Sequence, residues 1–147
     1  MNAYFRATDP FPLECAEQNK LHEFYERLAG GRLATTACVS CRRTSWPPRG
    51  FCPVCVGDRF EWVDLPREGS VHAFTVQETG VPAAFAAPRV FAIVAVSDLR
   101  IFAPIVGPRA TSLKVGSLVR LSPLRVADDA TGSPRHLVAF ELAEAAA

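Results

Sequence analysis

The chain is nearly without lysine and methionine. Of its 16 basic residues only Lys20 and Lys114 are lysine, and one methionine occurs in 147 residues. The net charge is only +1, so bulk electrostatics give no reason to expect nucleic acid or a membrane surface as partner. No apolar run approaches the roughly 20 residues that cross a bilayer. Residues Met1–Pro10 lack a basic stretch followed by an apolar one, so no secretory signal is expected. There is no GxSxG, no phosphate-binding loop and no dinucleotide fingerprint. The three histidines, His22, His72 and His136, are scattered, and Cys15 stands apart with no His or Asp placed to activate it. An independent enzyme is therefore not expected. The expected location is a reducing cytoplasm, where paired cysteines bind metal rather than each other.

What is present falls into three zones. In residues 1–33, Leu21, Phe24, Tyr25 and Leu28 recur at i, i+3, i+4, i+7, and polar residues fill the opposite face. This predicts one amphipathic helix over about residues 13–29, stopped by Gly30-Gly31. Its apolar stripe packs on its own domain or docks on a partner; spacing alone does not decide. Residues 34–66 hold four cysteines and Pro47-Pro48, and are too short and proline-rich for a conventional core. Residues 67–147 read as β, with candidate strands Ser70–Glu78, Arg89–Val96, Arg100–Val106, Ser117–Ala127 and His136–Ala143. The apolar run Val90–Val96 reads as a strand buried on both faces. Five strands with an excursion at Ala110–Val115 follow the order of an OB-fold barrel, and a small sandwich would look similar.

The sharpest motif is Cys38-Val-Ser-Cys41, ten residues, then Cys52-Pro-Val-Cys55. A two-residue gap lets both thiolates of one turn face a single ion, and two such turns complete a tetrahedron. Zinc is favoured over iron, and four thiolates leave no position for water or substrate, so the ion is structural. Arg42, Arg43 and Arg49 lie within the motif. They either offset the formal charge of about −2 on the metal site or meet a phosphate or an acidic partner.

The combination resembles the DUF35 family of zinc-ribbon and OB-fold proteins associated with acyl-CoA enzymes. The resemblance spans about residues 20–142 and is carried by Cys38-x2-Cys41, Pro47-Pro48-Arg49 and Cys52-Pro53-x-Cys55. Trp62, Gly69-Ser70-Val71, Phe74-Thr75-Val76 and Val115-Gly116 also match. Two positions depart from the family pattern: Arg42 replaces the usual glycine after the second cysteine, and Ser97-Asp98-Leu99 replaces an acidic-glycine turn. The resemblance implies a mostly β protein with an N-terminal helix, a rubredoxin-like zinc ribbon and a five-stranded OB barrel. It also implies a non-catalytic small subunit of a thiolase-like enzyme acting on acyl-CoA thioesters, in a heterotetramer with the catalytic chains. The expected partner surface is Leu21, Phe24, Tyr25 and Leu28 with the rim Arg49 and Phe51, and the expected contacts to CoA phosphates are Arg42, Arg43 and Arg49.

Two other readings compete. OB barrels and zinc ribbons bind single-stranded nucleic acid, but the strands from Ser70 to Val106 carry only Arg89 and Arg100 as permanent cations. A stand-alone acyl-CoA-binding protein is supported only by the arginine cluster.

Overall fold

The computed structural model describes residues 16–17, 19–81, 89–129 and 131–143. Cys15, with residues 13, 14 and 18 of the expected helix, lies outside the described residues. Helix α1 spans His22–Ala29, shorter than the sequence suggests. The Asn19 side-chain oxygen accepts the Leu21 N–H at 2.9 Å, a local turn that competes with further helix. Glu23 and Arg27 pair one turn apart at 2.5 Å on the outer face. At the far end Gly31 takes φ 76, and the Arg32 N–H returns to the Arg27 carbonyl at 2.9 Å. Only a residue tolerant of left-handed backbone closes a helix this way without strain.

The ribbon is a three-stranded antiparallel sheet. Strands β1 Ala34–Cys38, β2 Thr44–Ser45 and β3 Phe60–Asp64 lie in the order β2-β1-β3. Every residue of β1 is buried, Thr35 and Thr36 included. Their hydroxyls are satisfied by the Ser45 carbonyl and by both backbone groups of Arg49. The ribbon is tied to α1 and to the residues that flank it. Lys20 donates to the Gly50 carbonyl at 3.1 Å and lies 5.8 Å from the Phe60 ring. Arg27 lies 5.8 Å from the Trp62 ring, and Arg27 and Arg32 both reach the Asp64 carboxylate.

The barrel is built from β4 Glu68–Gln77, β5 Arg89–Val96, β6 Leu99–Val106, β7 Leu118–Leu121 and the last strand, β10 Phe140–Leu142. It closes in the order β10-β6-β5-β4-β7. Strand β10 pairs parallel to β6 and antiparallel to β7, which joins the first and last parts of the sheet. A 3-10 turn at Ala110–Ser112 occupies the expected excursion. The last two expected strands are each broken. Ser117–Ala127 divides into β7 and β8 Leu124–Val126, and His136–Ala143 into β9 Arg135–Leu137 and β10. Pro123 cannot donate to a ladder, so the chain leaves the barrel there, and β8 pairs with β9 as a separate hairpin. The buried Arg135 holds this excursion by donating to the carbonyls of Ala127 and Asp128.

Strand β5 also departs from expectation. Val90, Ala92, Val94 and Val96 are buried, whereas Phe91, Ile93 and Ala95 are only half-buried. A barrel has one interior, so alternate residues of even an all-apolar strand must face outward. The core joins Val71, Val94, Ile101, Val119 and Phe140 of the barrel to Leu33 and to Phe24 and Leu28 of the helix.

Closure leaves no space at Gly69. A Cβ there would stand 2.5 Å from the Ala95 carbonyl oxygen and 2.8 Å from a Val94 methyl. The obstacle is backbone of the paired strand, so Gly69→Ala is expected to cost about 2–3 kcal/mol in denaturant unfolding. The Asp64 carboxyl is held below its ordinary pKa, first by its hydrogen bond from Arg32 and further by Arg27. A depressed folded pKa contributes stability above the unfolded value, about 4, that is lost as pH falls through the folded one. Asp64→Asn should therefore lower Tm by a constant amount from pH 8 to 5, and the gap to wild type should close below about pH 4.

Candidate functional site

The two cysteine turns have the same build. Cys38 ends β1, and the Arg42 N–H closes its turn on the Cys38 carbonyl at 2.9 Å. In the second turn the Val56 N–H closes on the Cys52 carbonyl at 3.0 Å. Arg42 and Val56 follow the second cysteine of their pairs, and both take φ 61. The turn itself imposes this left-handed backbone, which is why glycine is favoured there. The second of these positions, Val56, carries no glycine signal and was not singled out from the sequence.

The four Sγ atoms lie within 4.8 Å of one another. Cys38–Cys55 and Cys41–Cys52 are each 3.5 Å apart, far beyond the roughly 2 Å of a disulfide. Four sulfurs about 2.3 Å from one ion stand roughly 3.8 Å apart, so the cluster fits tetrahedral zinc. The thiols are poised unequally. The Cys55 and Val54 N–H groups pull Cys52 down to about 6. Cys55 is drawn down by the Gly57 N–H but pushed up further by Cys38, by desolvation and by Cys41 and Cys52, ending near 11. Four thiolates this close ionise together only around a cation, and Zn²⁺ supplies it. Cys38 and Cys52 are buried and Cys41 and Cys55 are exposed, so the metal cross-links the ribbon at its surface.

The other expected residues are divided by the fold. Phe24 and Leu28 are buried in the core, so the helix stripe packs mainly on its own chain. Leu21 and Tyr25 remain half-buried at the edge, and Phe51 is exposed. Arg42 is ion-paired with Glu61 at 2.8 Å. Arg43 and Arg49 have exposed side chains, and the Arg49 backbone is held by Thr36. The three histidines lie on α1, β4 and β9.

The structure adds a groove of about 720 Å³ beside the ribbon. One wall is Leu21, Phe24 and Tyr25, and another is Trp46-Pro47-Pro48, with a cis peptide between Trp46 and Pro47. The floor is the outer face of β5 and β6, where the Phe91 and Phe102 rings stack 5.5 Å apart at 11°. Asn19, Arg100, Pro104, Leu137 and Val138 complete the lining. Strand register explains the floor: Ile93 stands opposite Phe102 and Phe91 opposite Pro104, all on the outward side. Recognising it in the sequence requires that register, because Phe91 and Phe102 otherwise read as core.

Residues 26–61 match the family model described as the ChsH2 rubredoxin-like zinc ribbon domain, and residues 62–122 match the ChsH2 C-terminal OB-fold domain. Together the two models span more than half of the chain without a gap. The chain belongs to the ChsH2-type DUF35 family. Among solved structures it is similar to one titled "Ltp2-ChsH2(DUF35) aldolase", at 25% identity and TM-score 0.66, covering 82% of this chain and 91% of that one. A DUF35-family protein of unknown function from Sulfolobus solfataricus shares the fold at 17% identity and TM-score 0.52, covering 82% and 83%. No curated protein matches the chain.

One zinc ion per chain is the expected metal content. Cys52→Ser should lower zinc affinity by more than about a hundredfold and remove hydrogen-exchange protection across β1 to β3. A variant that kept both would place the ion elsewhere.

Proposed function

We propose that this ChsH2-family chain is the non-catalytic accessory subunit of a thiolase-like enzyme that breaks or makes a C–C bond in an acyl-CoA thioester. The likeness to an Ltp2-ChsH2(DUF35) aldolase supports the reading and favours C–C cleavage. The observation that carries it is the pairing of a closed four-thiolate site with an open apolar groove. The metal has no position for substrate, so what this chain offers a reaction is surface. In this reading the partner supplies the nucleophilic cysteine and the acid and base groups, and the complex is a cytoplasmic heterotetramer. The groove covers the acyl group, excludes water and presents Arg100 at its rim as the cation that meets the thioester's charged arm.

One observation favours a second reading. Phe102 is 67% exposed and stacked on Phe91, as in barrels that stack bases of single strands. That reading needs a basic track, and Arg100 is the one cation lining the groove among the described residues. Salt-sensitive binding of labelled oligo-dT at micromolar protein would favour it.

The test is co-expression with the thiolase-like protein encoded nearest to this chain in its genome. The two should co-purify, and turnover should need both. A partner that folds and turns over at full rate alone would overturn the proposal. Phe102→Asp should leave assembly intact and raise KM for the thioester about tenfold, the value of burying one aromatic ring in part.

A further inference from the structure

The exposed apolar side chains are not spread evenly. Of the nine large hydrophobic residues exposed among the described residues, four lie on the cysteine turns: Val39, Phe51, Val54 and Val56. Each is next to a metal ligand in sequence: Val39 follows Cys38, Phe51 precedes Cys52, and Val54 and Val56 flank Cys55. Because the four sulfurs lie within 4.8 Å, the metal gathers these side chains at one tip.

Val56 is the informative member. It is β-branched, stands at φ 61 and is 78% exposed. A branched side chain is disfavoured in left-handed backbone, and its exposure returns little packing within the chain. The hydrogen bond that closes its turn uses only the backbone, so glycine would make it equally well. Arg42, the matching residue of the first turn, has its own local use in the ion pair with Glu61. Nothing within the described chain uses the Val56 side chain in this way. Around the tip, Arg43, Arg49 and Arg59 are exposed and form no ion pair among the described residues. An apolar centre with an arginine rim has the anatomy of a protein interface.

We propose that this tip docks on the thiolase-like subunit, with Val56 as an apolar anchor, against a partner patch that is apolar at its centre and carboxylate-lined at its rim. The proposal rests on the accessory-subunit reading and names its contact. It assigns assembly to the ribbon tip and leaves the groove to substrate.

The distinguishing test sets stability against affinity. In the isolated zinc-loaded chain Val56→Gly relieves strain, so its Tm should equal or exceed that of wild type. Its affinity for the same thiolase-like protein, measured by calorimetry, should fall about tenfold, as for one valine left unburied. Phe51→Ser should weaken binding similarly with zinc content unchanged, and raised salt should weaken the wild-type complex. Phe102→Asp, on the groove, should bind as wild type. Wild-type affinity in both Val56→Gly and Phe51→Ser would overturn the docking surface while leaving the accessory-subunit reading intact. Loss of affinity accompanied by loss of zinc would overturn the anchor role and assign these residues to the fold. A wild-type chain that binds no thiolase-like protein would remove the accessory-subunit reading and this inference together.

Discussion

Four thiolates crowded within 4.8 Å impose the constraint on which the ribbon depends. Without a cation they repel, and the segment between α1 and the barrel has little apolar material to hold it together. With one, the two cysteine turns become a rigid tip. The loop between them, Trp46-Pro47-Pro48, is held on one side by the metal and on the other by Thr36 and Lys20. This loop forms a wall of the groove, so the metal shapes the groove without any of its ligands lining it.

The barrel supplies the other half by a different rule. Closing five strands demands that side chains alternate between inside and outside. Val90, Ala92, Val94 and Val96 fill the interior, which leaves Phe91 and Ile93 outside with no choice in the matter. The helix covers part of that outer face through Phe24, whose ring packs edge-on against Trp46 at 6.0 Å. Phe102 stays open beside it. Ribbon, helix and barrel thus meet around one apolar surface. This meeting makes the helix part of the core, where Phe24 and Leu28 belong to the same cluster as Ile101 and Phe140.

Much of this was legible from residues. The spacing of Cys38, Cys41, Cys52 and Cys55 specified a closed tetrahedral site, since thiolate geometry tolerates few alternatives. Alternating and continuous apolar runs placed β4, β5 and β6 within two residues of their observed ends. The later strands were harder. Ser117–Ala127 reads as one strand until Pro123 is weighed as a ladder breaker, and the buried Arg135 that stabilises the resulting excursion has no local signature. The helix stripe was correctly periodic, but periodicity does not tell a core contact from a partner contact. Phe24 and Leu28 proved to be the first kind.

The sequence by itself determined the metal site and the class of fold. Both rest on short-range rules: the reach of two thiolates across one turn, and the period of side chains along a strand. Only the tertiary structure decided which apolar residues were left over. Exposure is a remainder, what is not covered after ribbon, helix and barrel have packed. The groove over Phe91 and Phe102 and the strained, exposed Val56 at the ribbon tip exist only after that packing is complete.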